Sequence, residues 1–184
     1  MSETFWDFSL RTYRTDKVPE ACLSLQDERE VDVNMMLFCL WYGVTRGQQE
    51  ALSFENVFEF SETWARRVVR PLRHVRIWMK INGCHDPRVS KESCMEFRKK
   101  VKGVEFTAEK MQQDVLESIV GSVLEKEIGL PAQLDAVVKN IQQYFSVANI
   151  VSDDFVRERL LTIIKAGVVD FSEKEIQNAL KTNI

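Results

Sequence analysis

Histidine and cysteine side chains are the first candidates for chemistry, because imidazole and thiolate groups are the ligands that zinc prefers. The chain has two histidines and four cysteines. Cys84, His85 and Cys94 lie closest together, but they supply three ligands at irregular spacing, whereas a structural zinc site takes about four. The phosphate-loop, dinucleotide-binding, GxSxG and HExxH patterns do not occur in the sequence. We therefore expect no metal and no cofactor.

A second group of candidates consists of carboxylates and one amide that flank strongly apolar segments: Asp7, Asp27, Asp32 and Asn34. One interpretation is a carboxylate-rich pocket that performs general acid–base chemistry. The other is structural: Asp32 caps the helix that follows it, and acids near helix starts pair with Arg70 or Arg73. We favour the structural interpretation and expect no catalytic residue, with an enzyme kept as a third hypothesis.

A third group is basic, since residues 66–80 contain six arginines and lysines and no acid. At helical spacing these side chains form a patch for an anion or an acidic partner: Arg66, Arg70, Arg73 and Arg76. Such a patch is typical of phosphate-backbone binding. The net charge of −3 disfavours nucleic acid as a partner. Binding of nucleic acid or a ribonucleoprotein through this basic helix is therefore the alternative function.

The elements that position these groups are predicted to be helices, because only 7 Gly and 4 Pro are present. The apolar run from Met35 to Val44 indicates a buried central helix, too short for a membrane span of about 20 residues. A long helix is expected from Ser53, kinked or split at Pro71, and the next opens at Ser90 and breaks at Gly103. The N-terminus lacks the pattern of a signal peptide, so we expect a cytoplasmic protein.

The four cysteines show no CxxC spacing. Cys22 and Cys39 lie in apolar helical patterns, where a free cysteine behaves as a small hydrophobic residue. Since cytoplasmic thiols are kept reduced, we expect four thiols and no disulfide.

Residues 144–184 contain one short pattern twice, with Ser152 matching Ser172 when the copies are aligned. Each copy has β-prone residues, a serine N-cap and an amphipathic helix. We expect the β segments to pair near 147–151 and 167–171 as a two-stranded antiparallel hook whose free edge binds a partner's extended peptide by strand addition. The predicted partner-binding residues are Val147, Asn149, Ile150, Val151, Val168, Val169, Asp170 and Phe171.

Four motifs recur in a fixed order in the first part of the chain: FWDFSL at 5–10, ACLSLQD at 21–27, DVN at 32–34 with LF at 37–38 and LW at 40–41, and VVRPLR at 68–73. With these motifs the chain resembles a family of small, uncharacterised proteobacterial proteins. The resemblance implies a helical fold and a bacterial cytoplasmic setting, and it implies no activity or catalytic residue. With its added C-terminal segment, the chain also resembles a partner of a J-domain co-chaperone from a cold-adaptation operon.

The sequence thus predicts an all-α, multi-helix bundle with a short two-stranded antiparallel β hook in the C-terminal third. The bundle core is expected over 1–128, with a helical extension that carries the hook over 129–184. The leading hypothesis is a non-enzymatic adaptor for a protein partner, whose bound segment is the tail of a J-domain co-chaperone in cold adaptation. We expect no membrane partner.

Overall fold

The computed structural model describes residues 3–84, 88–121, 128–168 and 170–184, and within these ranges the chain is helical with no β-strand. The all-α class is therefore confirmed for the described residues. The elements in chain order are α1 Phe5–Tyr13, α2 Val18–Arg29, α3 Val33–Thr45, α4 Ala51–Trp64, a π-helical turn Ala65–Val69, α5 Arg70–Asn82, α6 Lys91–Ile119, α7 Leu130–Ala148, α8 Asp154–Gly167 and α9 Glu173–Asn183.

Helix α3 is the centre of the bundle, as its continuous apolar sequence predicts. Its side chains from Met35 to Tyr42 are all buried. Helix α7 packs closely along it, because Gly43 has no side chain and a Cβ there would lie 2.8 Å from the Val137 backbone. One apolar core includes residues from α1 at one end of the chain and α9 at the other, so the helices that flank α3 share one interior.

Side-chain caps determine where several helices begin. Thr4, Asp32 and Ser90 each accept a hydrogen bond from a backbone N–H in the first turn of α1, α3 and α6. At α9, Ser172 and Glu175 form a capping box. These local signals are readable from sequence, and the predicted starts at Asp32, Ser90 and Ser172 are confirmed.

The long helix from α4 to α5 changes its hydrogen-bond pattern just before Pro71. Proline has no N–H to donate, so a regular helical ladder cannot continue through it. The preceding residues form the π-helical turn, where the Arg70 N–H donates to the Ala65 carbonyl. The predicted disturbance at Pro71 is confirmed, whereas the predicted break at Gly103 is wrong because α6 runs through that residue.

The predicted β hook is wrong. Val147 belongs to the last turn of α7, and Asn149 ends that helix in the left-handed conformation, with a φ of 55°. The next N–H, of Ile150, donates 2.9 Å to the Phe145 carbonyl, as in a Schellman cap. Helix capping therefore takes the backbone donors that a strand would have used.

The second half of the predicted hook is also a helix end. The Val168 N–H donates 2.8 Å to the Ile164 carbonyl, and both Val168 and Phe171 are buried in the core. Asp170 lies in an exposed turn, and Val169 lies outside the described residues. Of the apolar residues expected to bind a partner, Val168 and Phe171 therefore pack inside the protein, and Ile150 packs partly buried against the core. Val147 and Val151 are 40% and 73% exposed.

The expectation of four free thiols is wrong as well. Cys84 and Cys94 form a disulfide that joins the region after α5 to the first turn of α6. Cys22 and Cys39 are free and buried, as predicted. Sequence spacing did not reveal the bridge, because the antiparallel return of α6 along α5 brings the two cysteines together.

Candidate functional site

A cavity of about 590 Å³ lies between α1, α2, the start of α3, the π-helical turn, α5 and α6. We refer to it as the α1–α6 cavity. Each of the four sequence motifs contributes to its walls, for example through Trp6, Cys22, Asp32 and Arg70. Motifs that are separated along the chain thus meet at one place in the fold.

The mouth of the α1–α6 cavity is apolar and partly open to solvent. Phe106 is 52% exposed and Leu23 is 47% exposed, and both line the cavity. The rings of Trp6 and Phe106 meet edge to face with their centroids 5.3 Å apart, and Tyr13 adds a further exposed ring. Aromatic rings placed in this way offer a large contact surface to an apolar ligand.

An ionic cluster between α5 and α6 forms part of the cavity wall. Arg73 donates to Glu105 at 3.0 Å and to Glu109 at 2.6 Å. Arg76 donates to both carboxylate oxygens of Glu105. Burial acts to raise the pKa of Glu105, but hydrogen bonds from Arg76 and Arg73 outweigh it and lower that pKa. At Glu109 burial prevails over the attraction of Arg73, with repulsion from Glu105 and Asp32 acting in the same direction, and the pKa is raised.

Asp32 is held in a saturated polar network. One carboxylate oxygen accepts from the N–H groups of Asn34 and Met35. The other accepts from the Ser61 hydroxyl at 3.0 Å and the Gln112 amide at 2.7 Å. The structural interpretation of Asp32 as a helix cap is confirmed. The expected ion pairs between acids at helix starts and Arg73 are wrong, because Arg73 pairs with the α6 glutamates instead.

Two further carboxylates, Asp27 and Glu30, line the cavity from the C-terminal end of α2 and are exposed. Neither forms a salt bridge with any residue that the structure describes. Asp7, the remaining acid of the predicted group, interacts with Thr4 at the start of α1 and does not line the cavity. The fold therefore brings Asp27, Asp32 and Asn34 to one site and leaves Asp7 outside it.

Two buried oxygen atoms in residues of the cavity wall have no hydrogen-bond partner among the described residues. They are Oγ of Ser9 on α1 and Oε1 of Gln113 on α6. The amide nitrogen of Gln113 is occupied, since it donates 2.8 Å to Asn34. Buried polar atoms are nearly always paired, so an unpaired acceptor beside a cavity is a distinguishing feature of the site.

The predicted arginine patch is divided by the fold. Arg73 and Arg76 face α6, while Arg70 forms a 3.2 Å ion pair with Glu62 of α4. Arg66 is exposed in the π-helical turn and does not line the cavity. Three of the four arginines are thus paired within the protein.

Sequence reasoning missed the polar residues of α6 that face the interior: Glu105, Glu109, Gln112 and Gln113. A usable signal existed, because Glu105, Glu109 and Gln112 recur at helical spacing along the same face as Val101, Ala108 and Leu116. Polar residues within an apolar stripe need internal partners. The basic series on the preceding helix supplies them for Glu105 and Glu109, whereas Gln112 is hydrogen-bonded to Asn34, Asp32 and Ser61.

Two other kinds of site have no candidate in the ranges described. No group of three or more His, Cys, Asp or Glu side chains there is placed to hold a metal ion. No described helix has the length and apolar character needed to cross a membrane. The α1–α6 cavity remains the candidate site.

Comparison with known proteins identifies one family. The model of the family described as "Protein of unknown function (DUF2390)" matches residues 4–116. Every residue that lines the α1–α6 cavity falls within that range. Neither the curated proteins nor the solved structures contain a match. Because the matched region covers more than half of the 184 residues, the chain belongs to the DUF2390 family.

Proposed function

We propose that the protein is a non-enzymatic adaptor that binds a short segment of a partner protein in the α1–α6 cavity. The observation that carries this proposal is an open cavity of about 590 Å³ with large apolar side chains exposed at its mouth. Ligand sites commonly have volumes of about 300–1,000 Å³ and combine apolar walls with a few polar groups. Exposed apolar surface rimmed by polar residues is typical of an interaction site.

The state of the polar groups supports binding over catalysis. Both oxygens of Asp32 accept hydrogen bonds from protein donors, and Glu105 is held between two guanidinium groups. The Cys22 thiol also lines the cavity, but burial raises its pKa to about 12, which disfavours the reactive thiolate. These groups fix the walls of the cavity and are not placed as free acids, bases or nucleophiles.

The resemblance to a partner of a J-domain co-chaperone gives the first partner to test. We propose that the bound segment is the tail of such a co-chaperone, which would link the protein to a Hsp70 network in cold adaptation. Strand addition is not part of this proposal, because the described C-terminal residues form helices and caps. The tail would instead insert apolar side chains between Trp6, Leu23 and Phe106.

Nucleic-acid binding through residues 66–80 has less support. Three of the four arginines proposed for it are paired with Glu62, Glu105 and Glu109. Binding phosphate would require breaking these pairs, and leaving a carboxylate buried without its partner is unfavourable. The internal pairing therefore favours a structural role for Arg70, Arg73 and Arg76.

Site-specific photo-crosslinking in the native host tests the adaptor proposal. A photoreactive phenylalanine analogue is placed at position 23 or 106, with position 52 as the matched control. Leu52 is an apolar side chain on α4 that is 78% exposed and lies outside the cavity. We expect positions 23 and 106 to capture the same short segment of one protein and position 52 not to capture it.

A synthetic peptide with the sequence of the co-chaperone tail provides a second measurement. If this tail is the bound segment, an excess of the peptide should abolish the crosslinks formed at positions 23 and 106. Crosslinks that are equal at all three positions, or absent from 23 and 106, would contradict the adaptor proposal. If crosslinks specific to positions 23 and 106 persist in the presence of the peptide, the adaptor proposal stands and the co-chaperone tail is excluded as its partner.

A further inference from the structure

We propose that the α1–α6 cavity selects a partner segment that carries a cationic side chain, arginine above lysine, beside apolar residues. This inference deepens the proposed function and rests on it. Three features support it: the hydrogen-bonding groups that the cavity presents, the charges around it and its aromatic mouth.

The end of α2 presents two carboxylates without a cation. Asp27 and Glu30 line the cavity, and neither has a salt-bridge partner in the part of the chain that the structure describes. Asp27 lies in the last turn of α2, and Glu30 ends the helix in the left-handed conformation. The C-terminal end of a helix carries partial negative charge, which disfavours further negative charge there. A cationic ligand would offset this negative charge.

The buried wall also lacks a donor. Oε1 of Gln113 can only accept a hydrogen bond, and it has no partner among the described residues. The side chain of Gln113 is anchored because its amide nitrogen donates to Asn34. The acceptors at Asp27, Glu30 and Gln113 therefore call for a ligand that is rich in N–H donors. Guanidinium and ammonium groups have donors and no acceptor.

The arginine and lysine side chains that line the cavity do not pair with Asp27, Glu30 or the Gln113 oxygen among the described residues. Five carboxyl side chains and four arginine or lysine side chains line the cavity. Arg73 and Arg76 are committed to the α6 glutamates, and Arg70 is committed to Glu62. Asp27 contributes to the raised pKa of Arg76, but the stronger influence is the hydrogen bond to Glu105. Lys102, the remaining lining cation, is exposed.

The aromatic mouth favours arginine over lysine. Tyr13 and Phe106 expose ring surface at the cavity, and a planar guanidinium stacks on such rings while its donors remain free for carboxylates. The protein already uses this geometry elsewhere, since the Arg159 guanidinium lies 3.7 Å from the centre of the Phe155 ring. Apolar neighbours in the same segment would pack against Trp6 and Leu23.

Selection of peptides from a phage-displayed library of random linear sequences tests the inference with the full-length protein. Peptides are selected on the wild type after depletion on a Phe106→Lys variant, which places a charge in the apolar mouth. We expect the enriched peptides to contain arginine, and less often lysine, beside apolar residues. Isothermal titration calorimetry then gives Kd for one enriched peptide and for its citrulline analogue, which keeps the shape of arginine without its charge.

Charge-neutralising substitutions identify the acceptors. Combined Asp27→Asn and Glu30→Gln substitutions should weaken binding of the arginine peptide at least about tenfold, and should equalise it with the citrulline peptide. Glu28→Gln is the matched control, because Glu28 is an exposed acid on the same helix that does not line the cavity. This control should change Kd less than about twofold.

The outcomes separate this inference from the proposed function. Enriched peptides that depend on Phe106 but lack basic residues would overturn the cationic preference and leave the adaptor proposal intact. The cationic preference is also overturned, with the adaptor retained, if the Asp27 and Glu30 substitutions change Kd no more than the Glu28 control does. Failure to enrich any peptide that depends on Phe106 would count against both.

Discussion

Replacing Glu105 with glutamine removes one charge from α6, and we expect it to lower the free energy of unfolding far more than neutralising an exposed acid on the same helix would. The carboxylate side chain is 6% exposed, and the two guanidinium side chains that pair with it, Arg73 and Arg76, are 17% and 20% exposed. Breaking a buried ion pair by removing one partner costs about 3–5 kcal/mol. Because the arginines keep some contact with water and Arg73 also binds Glu109, we expect a loss of about 2–4 kcal/mol.

Urea denaturation followed by circular dichroism measures this loss. With an m-value near the upper end of the range for small proteins, about 2–3 kcal/mol per molar urea, the midpoint should fall by about 1 M. Asp114→Asn is the matched control on the same helix, since Asp114 pairs with Lys110 where both side chains are exposed. We expect the control to cost less than about 1 kcal/mol.

The pH dependence supplies an independent check. The pKa of Glu105 is lowered in the folded protein, so its contribution to stability is present above the unfolded pKa of about 4.3 and is lost as pH falls through the folded value. The stability difference between wild type and Glu105→Gln should therefore be largest near neutral pH and shrink below about pH 5. A loss as small as that of the Asp114 control, or a difference independent of pH, would refute the reasoning.

Three further predictions concern other parts of the structure and use the same unfolding assay. Asp32→Ala should cost about 2–5 kcal/mol, since it removes a helix cap and leaves buried donors unpaired; a loss below about 1 kcal/mol would contradict the network. Phe171→Ala should cost about 3–5 kcal/mol and Val151→Ala within about 0.5 kcal/mol, whereas equal small effects would place both on the surface. Replacing Cys84 and Cys94 with serine should cost about 2–3 kcal/mol for a loop of this length, and the denatured, unreduced wild type should show two titratable thiols rather than four.

The helical class and several helix starts could be predicted because they depend on local chemistry. Asp32, Ser90 and Ser172 each have a side-chain acceptor within reach of the next backbone donors, and this requires only neighbouring residues. The effect of Pro71 is equally local, because its missing N–H disturbs any helix that contains it. Such features can be predicted correctly from sequence because no distant contact decides them.

The β hook failed because tertiary packing overrode β propensity. Val168 and Phe171 belong to a β-prone segment, but the core buries both side chains. At the end of α7, Asn149 adopts the left-handed cap conformation, and this closes the helix directly into a short connection. Propensity is a weak guide where burial and capping compete with it.

The candidate site could be predicted only in part. Asp27, Asp32 and Arg73 were singled out from sequence, and all three line the cavity. Their partners could not be deduced, because pairing Arg73 with Glu105 and Glu109 depends on how α6 packs against α5. The disulfide depends on the same packing.

The π-helical turn before Pro71 sets the axial phase of everything that follows it on α5. One residue more or fewer in an α-helix turns the downstream side chains by about 100°. The π-helical turn accommodates one residue more than an α-helical turn does, so converting Ala65–Val69 to a regular ladder without removing a residue would swing Arg73 and Arg76 away from Glu105. Shape, charge balance and access at the cavity all depend on that irregular turn, so regularising it at its present length should disturb the cavity more than removing one residue together with the π-helical turn.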